Sequence, residues 1–245
     1  MFSTNHFIWL AICFAVVVVL TVCSIKFKFS FRLSNIIICI IVLLGELVKI
    51  YCGLRPAKGG GMVILPTSLP LHFCSIMIFI YFYMLLTKKD SGAKNLLSFV
   101  APMSVLGGIL AIIIPASGTS FTSPAAYQCF LYHAGMVWFG LYLFISKQAV
   151  LGIKAYFRNM GIIGGLAICS IWVNGALQQY KTNYFFTVRP PMDGIPLLNL
   201  NNGWFAYFGT LILLGVLLLG LVHLPFIIKE ILNKRKIKKT EEAPK

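Results

Sequence analysis

The sequence predicts an all-α, polytopic membrane helix bundle with about seven transmembrane helices. Three observations carry this. Hydrophobic residues make up 59% of the chain and charged residues only 11%, with a mean hydropathy of +0.88. An average soluble domain is about 25% charged, so there are too few polar residues to cover a water-facing globule. A soluble enzyme, a disordered chain and a secreted disulfide scaffold are excluded. The apolar residues also come in continuous runs, as in Ile36–Leu44 and Thr210–Val222, where a barrel strand would alternate. Finally, at roughly 20 residues per crossing, the 245 residues leave no room for a separate soluble domain. One transmembrane domain over 1–228 and a basic cytoplasmic tail over 229–245 account for the chain.

In order, the expected spans are Phe7–Ile25, Asn35–Tyr51, Leu69–Leu86, Leu96–Pro115, Pro124–Ser146, Met160–Leu177 and Trp204–Ile228. The first run is too long for a signal-peptide core and lacks a basic leader, so it stays attached as a span. Lys and Arg orient the rest. The loops after spans 1, 3 and 5, together with the tail, carry sixteen cations; the opposite loops carry Arg55, Lys58, Lys181 and Arg189. The positive-inside rule then puts the N-terminus outside and the C-terminus in the cytoplasm, a multi-pass protein of the cell membrane. The tail reads as a solvated extension that frays after its first helical turn.

The net charge of +15 sits at the flanks of apolar runs, where topology and anionic lipid heads explain it. Membrane lipids are the expected partners, and nucleic acid is not expected. Seven cysteines occur without any CxxC pair, which suggests neither a zinc site nor a disulfide framework. Without a Walker-type loop or HExxH, no metal and no cofactor is expected. Oligomeric state is not legible.

Polar residues inside the spans fall at one depth. Glu46 and Lys49 lie near the outer end of span 2, and His72 and Cys74 in the first turns of span 3. Gln128 and His133 lie in the outer half of span 5, and Asn174 and Gln178 close span 6. At about 1.5 Å per residue all lie near the outer surface, which suggests an outward-facing polar pocket. Glu46 and Lys49, three apart on one helix face, either neutralise each other or serve a ligand. His133 stands among apolar neighbours and must face the interior, where imidazole can act as a base. Cys74 needs a base from another helix, while Cys129 shares the face of His133. His6 and His223 read as interfacial. No second polar cluster is evident on the cytoplasmic half. The long loop after span 6 contains Asn183, Tyr184, Arg189, Pro190 and Asp193; a loop of this length suits a pocket cover. Arg189 would take a phosphate or carboxylate, or pair with Asp193.

The blocks Ser68-Leu-Pro-Leu-His-Phe-Cys-Ser75, Gln128 with His133-Ala-Gly135, Asn183-Tyr-Phe-Phe186 with Arg189-Pro190, and Leu224-Pro-Phe226 resemble the YwaF-type bacterial integral membrane proteins. Glu46 in Leu44-Gly-Glu-Leu47 matches an acidic position of that family. The resemblance covers nearly the whole chain. It departs at Thr182, where glycine is usual, and at Asn201-Asn-Gly-Trp204. The bacterial members are mostly of unknown function; their animal relatives, the transmembrane protein 164 group, are described as lipid acyltransferases acting through a membrane cysteine. The resemblance therefore implies Cys74 as nucleophile, His133 or His72 as base, and a phospholipid acyl chain as substrate. Glu46, Gln128, Asn174, Asn183, Tyr184 and Arg189 are the candidate substrate-binding residues. The alternative from the residues alone is a binding or transport protein holding a small polar ligand in the same pocket.

Overall fold

A computed structural model describes residues 2–57, 59–87, 91–192, 194–195 and 197–241. Seven helices form the bundle: α1 (Thr4–Lys26), α2 (Phe31–Gly53), α3 (Phe73–Leu86), α4 (Ser91–Ile113), α5 (Pro124–Ile145), α6 (Ile153–Ala176) and α7 (Gly203–Glu241). The first two open on serine caps, Ser3 accepting from His6 N and Ser30 from Leu33 N, which satisfies donors the first turn leaves free. Between α2 and α3 the chain makes a small antiparallel hairpin, β1 (Leu54–Pro56) with β2 (Met62–Ile64), Leu54 opposite Ile64. Gly60 and Gly61 turn it at positive φ.

Among the described residues, six helices are long and apolar enough to cross a membrane. The exception is α3, with 14 residues, about 21 Å at helical rise against a hydrocarbon core of about 30 Å. The expected start at Leu69 is four residues early. Pro66 and Pro70 lack the amide donors a helix uses and hold their predecessors extended, so His72 becomes the N-cap of α3. At the other end α7 runs unbroken through Pro225 to Glu241, so the helix does not fray just beyond Ile228.

The most enclosed helix is α5, with 67% of its membrane stretch buried, against 17% for α1 and α6 and 11% for α7. It packs on α4, α2 and α1. Glycines permit the α4–α5 approach: a Cβ on Gly108 would sit 2.8 Å from the His133 carbonyl, and one on Gly140 2.7 Å from that of Ala101. Small residues at such crossings let backbones meet where no hydrophobic force drives helices together. At the C-terminal end of α1, Trp138 Nε1 donates to Ser24 Oγ at 2.9 Å, tying α5 to α1.

The half of the bundle at the end of α1 and the start of α6 holds polar contacts that the sequence did not reveal. Pro102 lies inside α4 and offers no N–H to the carbonyl four residues earlier, that of Ser98. Asn159 of α6 donates its Nδ2 to this carbonyl at 2.9 Å. The same Nδ2 lies 3.3 Å from His223 Nε2. His223 and His6 are both fully buried against protein; His6 Nε2 lies 3.0 Å from the Ile112 carbonyl.

Candidate functional site at the outer end of the bundle

One turn of α2 supplies two charges. Lys49 Nζ lies 2.5 Å from Glu46 Oε1 and donates to Ser75 Oγ at 2.8 Å. Ser75 in turn donates to Glu46 Oε2 at 3.0 Å. The triangle ties α2 to the first turn of α3. Glu46 and Ser75 are buried, and a charge is tolerated at such a place only when paired and hydrogen-bonded. Paired with Glu46 and bonded to Ser75, Lys49 acts here as a hydrogen-bond donor. Ser75 belongs to the Ser68–Ser75 block, yet no sequence spacing links it to residues on another helix.

Cys74 precedes Ser75 and is half-buried. Its carbonyl accepts a hydrogen bond from Tyr132 Oη at 2.8 Å. The Tyr132 ring lies against Gly45, where any side chain would collide with it. Next on α5, His133 Nδ1 lies 2.5 Å from the Cys129 carbonyl. A carbonyl only accepts, so Nδ1 carries the proton and Nε2 keeps the lone pair. Cys129 Sγ lies 3.9 Å from that same Nδ1, on the proton-bearing side of the ring.

The long outer loop covers this region. Asn174 of α6 accepts from Tyr184 N at 2.9 Å and donates to the Tyr184 carbonyl at 3.0 Å and to Thr187 Oγ1 at 3.1 Å. Tyr184 Oη donates to the Pro66 carbonyl, and its ring meets His72 edge-on with centroids 5.0 Å apart. Burial raises the Tyr184 phenol pKa, so the hydroxyl remains a donor. Phe185 and Phe186 sit at φ 56° and 54°, a left-handed backbone costing about 1–3 kcal/mol per residue. Contacts on both flanks hold them there: Phe185 packs on Phe73, Tyr207 Oη donates to the Phe186 carbonyl, and Trp204 Nε1 donates to the Thr187 carbonyl at 2.8 Å.

Of the residues singled out in the sequence, Glu46 and Lys49 form the triangle and Cys74 directly precedes its Ser75, while His72 is the N-cap of α3 and His133 lies against the Cys129 carbonyl. Asn174 and Tyr184 build the cover. Asn183 folds the loop onto itself, accepting from Val188 N and Arg189 N at 3.2 Å each. Arg189 lies outward, its Nη2 donating to the Lys181 carbonyl at 2.7 Å; its alternative partner Asp193 lies outside the described residues. Gln128 is half-buried on α5. Among the described residues no three His, Cys, Asp or Glu side chains converge as a metal site.

No curated protein and no solved structure matches the chain. A family model does match, over residues 1–223, which includes every side chain of the outer site. The chain therefore belongs to the TMEM164 family, a family of membrane proteins.

Proposed function

We propose that the protein moves acyl groups of membrane lipids, with Cys74 as nucleophile and His133 as its base. The observation that supports this most is the proton on His133 Nδ1, donated to the Cys129 carbonyl, because it leaves a basic Nε2 at the depth of Cys74. The thiol proton passes to Nε2, and the thiolate attacks the ester carbonyl of a phospholipid. Sulfur forms a thioester, the lysolipid oxygen leaves with the proton from His133, and a second hydroxyl then takes the acyl group from sulfur. If water is that acceptor, the same steps amount to hydrolysis. Glu46 and Ser75 hold Lys49 against the first turn of α3, which carries Cys74. His72 and Tyr184 line the approach beneath the loop. The activity belongs at the cell membrane, facing outward.

The test is acyl transfer from a fluorescent phospholipid by the purified protein in nanodiscs, comparing Cys74→Ala with Cys129→Ala. Loss of transfer and of any thioester in the first variant, with the second active, supports the reading. Full activity in Cys74→Ala overturns it. Small-ligand binding or transport is the second reading, and the polar Asn159–His223 contact on the cytoplasmic half favours it, since a route across needs polar groups on both sides.

A further inference from the structure

The β1–β2 hairpin between α2 and α3 carries an apolar surface that the bundle leaves uncovered. Met62, Val63, Ile64 and Leu65 are each between 37% and 59% exposed, and Leu65 continues the extended chain of β2. Successive strand residues point to opposite faces, so Met62 and Ile64 lie on one face and Val63 and Leu65 on the other. Both faces of β2 are therefore apolar and open. The tip stands off the helices, since a Cβ on Gly59, Gly60 or Gly61 would meet nothing within 4 Å. A hairpin of two strands is marginal in water, and an apolar edge strand exposed there invites aggregation. An apolar medium removes both problems.

Two features identify that medium as the bilayer. The hairpin continues a lipid-facing surface: β1 starts at Leu54, directly after Gly53 ends α2. The exposed residues Ile36, Ile40, Leu43, Leu47 and Tyr51 recur every three or four positions, which is one face of a helix, and this stripe runs into the last turn before β1. The charge also fits. Residues 51–72 contain no Asp or Glu, and their cations are Arg55 and Lys58. Arg55 is exposed, and its Nη1 donates to the Cys52 and Leu54 carbonyls at 2.8 and 2.7 Å, which holds the guanidinium at the end of α2, the level of the lipid headgroups. The backbone limits the depth. Within the turn, Ala57 N donates to the Gly61 carbonyl and Gly60 N to the Ala57 carbonyl, both at 3.1 Å. Each strand of a two-stranded sheet nevertheless has an outward edge, and such amides do not enter hydrocarbon.

We propose that the β1–β2 hairpin is a membrane anchor: residues 62–65 enter the boundary between headgroups and acyl chains of the adjoining leaflet, with Arg55 against lipid phosphate. The anchor is independent of the chemistry at Cys74. Pro66, whose carbonyl accepts from Tyr184 Oη, follows directly, so the anchor fixes the rim of the loop-covered region at the lipid surface.

The experiment is photo-crosslinking of the full chain in dioleoyl phosphatidylcholine liposomes, with p-benzoylphenylalanine at Val63, read by intact-protein mass spectrometry and by gel. Leu43 on the α2 stripe is the lipid-facing reference, and Asn201, exposed in the outer loop, the water-facing one. A lipid adduct at Val63 as abundant as at Leu43 and above that at Asn201, falling roughly tenfold when Met62→Asp and Ile64→Asp are added, supports the anchor. Both of these side chains are exposed, so their substitution leaves the fold intact. A lipid adduct that ignores the two substitutions, or one no greater than at Asn201, overturns it. A crosslinked dimer in place of the lipid adduct also overturns it, by showing a second copy on the edge strand.

Discussion

Asn174 on α6 and Tyr184 in the outer loop exchange two hydrogen bonds, side-chain amide to backbone, of 3.0 and 2.9 Å. With both atoms of its amide engaged, Asn174 holds the loop where Tyr184 can reach Pro66 and His72. Asn174→Ala leaves buried backbone groups of Tyr184 unpaired, at about 1–3 kcal/mol. Limited proteolysis between residues 178 and 200 should become faster and the unfolding midpoint in detergent should fall. An unchanged cleavage rate would show that the loop is held by its α7 contacts alone.

Glu46 and Lys49 should behave as a coupled pair. Removing Lys49 leaves the buried Glu46 carboxylate without its cation, which costs about 3–5 kcal/mol, whereas removing both is much milder. Lys49→Met should therefore unfold at lower temperature than Glu46→Leu/Lys49→Met. Additive losses in the double-mutant cycle would show that the two charges do not stabilise one another.

The α4–α5 crossing depends on the absence of a single side chain. Gly108→Ala places a methyl 2.8 Å from the backbone oxygen of His133, and a backbone atom cannot rotate away. The expected loss is about 1–3 kcal/mol, and the shift of α5 carries His133 with it. Thermal unfolding reads the first effect, and reduced acyl transfer by the folded fraction reads the second.

Asn159 should be needed only because Pro102 is present. Asn159→Leu strips the Ser98 carbonyl of its side-chain donor and should lower stability by roughly 1–3 kcal/mol. Pro102→Ala restores an intrahelical N–H for the same carbonyl. The double variant should recover much of what Asn159→Leu loses; no recovery would place the role of Asn159 at His223 instead.

Much of the outer site was visible from depth alone. Glu46, Cys74, His72 and His133 stand at one level along three apolar runs, and helical rise converts sequence position into depth. Ser75 was missed for a different reason. Which residue meets Lys49 across a helix boundary depends on how α3 is rotated, and a helix as uniformly apolar as Phe73–Leu86 carries no amphipathic signal to set that rotation. His223 and Asn159 escaped for the same reason. For Arg189 the sequence left a ligand and Asp193 as equal partners; the loop folded by Asn183 brings its Nη2 to the Lys181 carbonyl.

The sequence by itself determined the membrane class, the seven helices and the cation asymmetry that orients them. These follow from local runs of apolar residues measured against the thickness of a bilayer, and no distant contact enters. The tertiary structure decided the start of α3 at Phe73, the enclosure of α5 and the Glu46–Lys49–Ser75 triangle. Each of these depends on which helix faces meet. In a bilayer, where both faces of a helix are apolar, that choice is made by close packing at glycines and by polar groups finding partners.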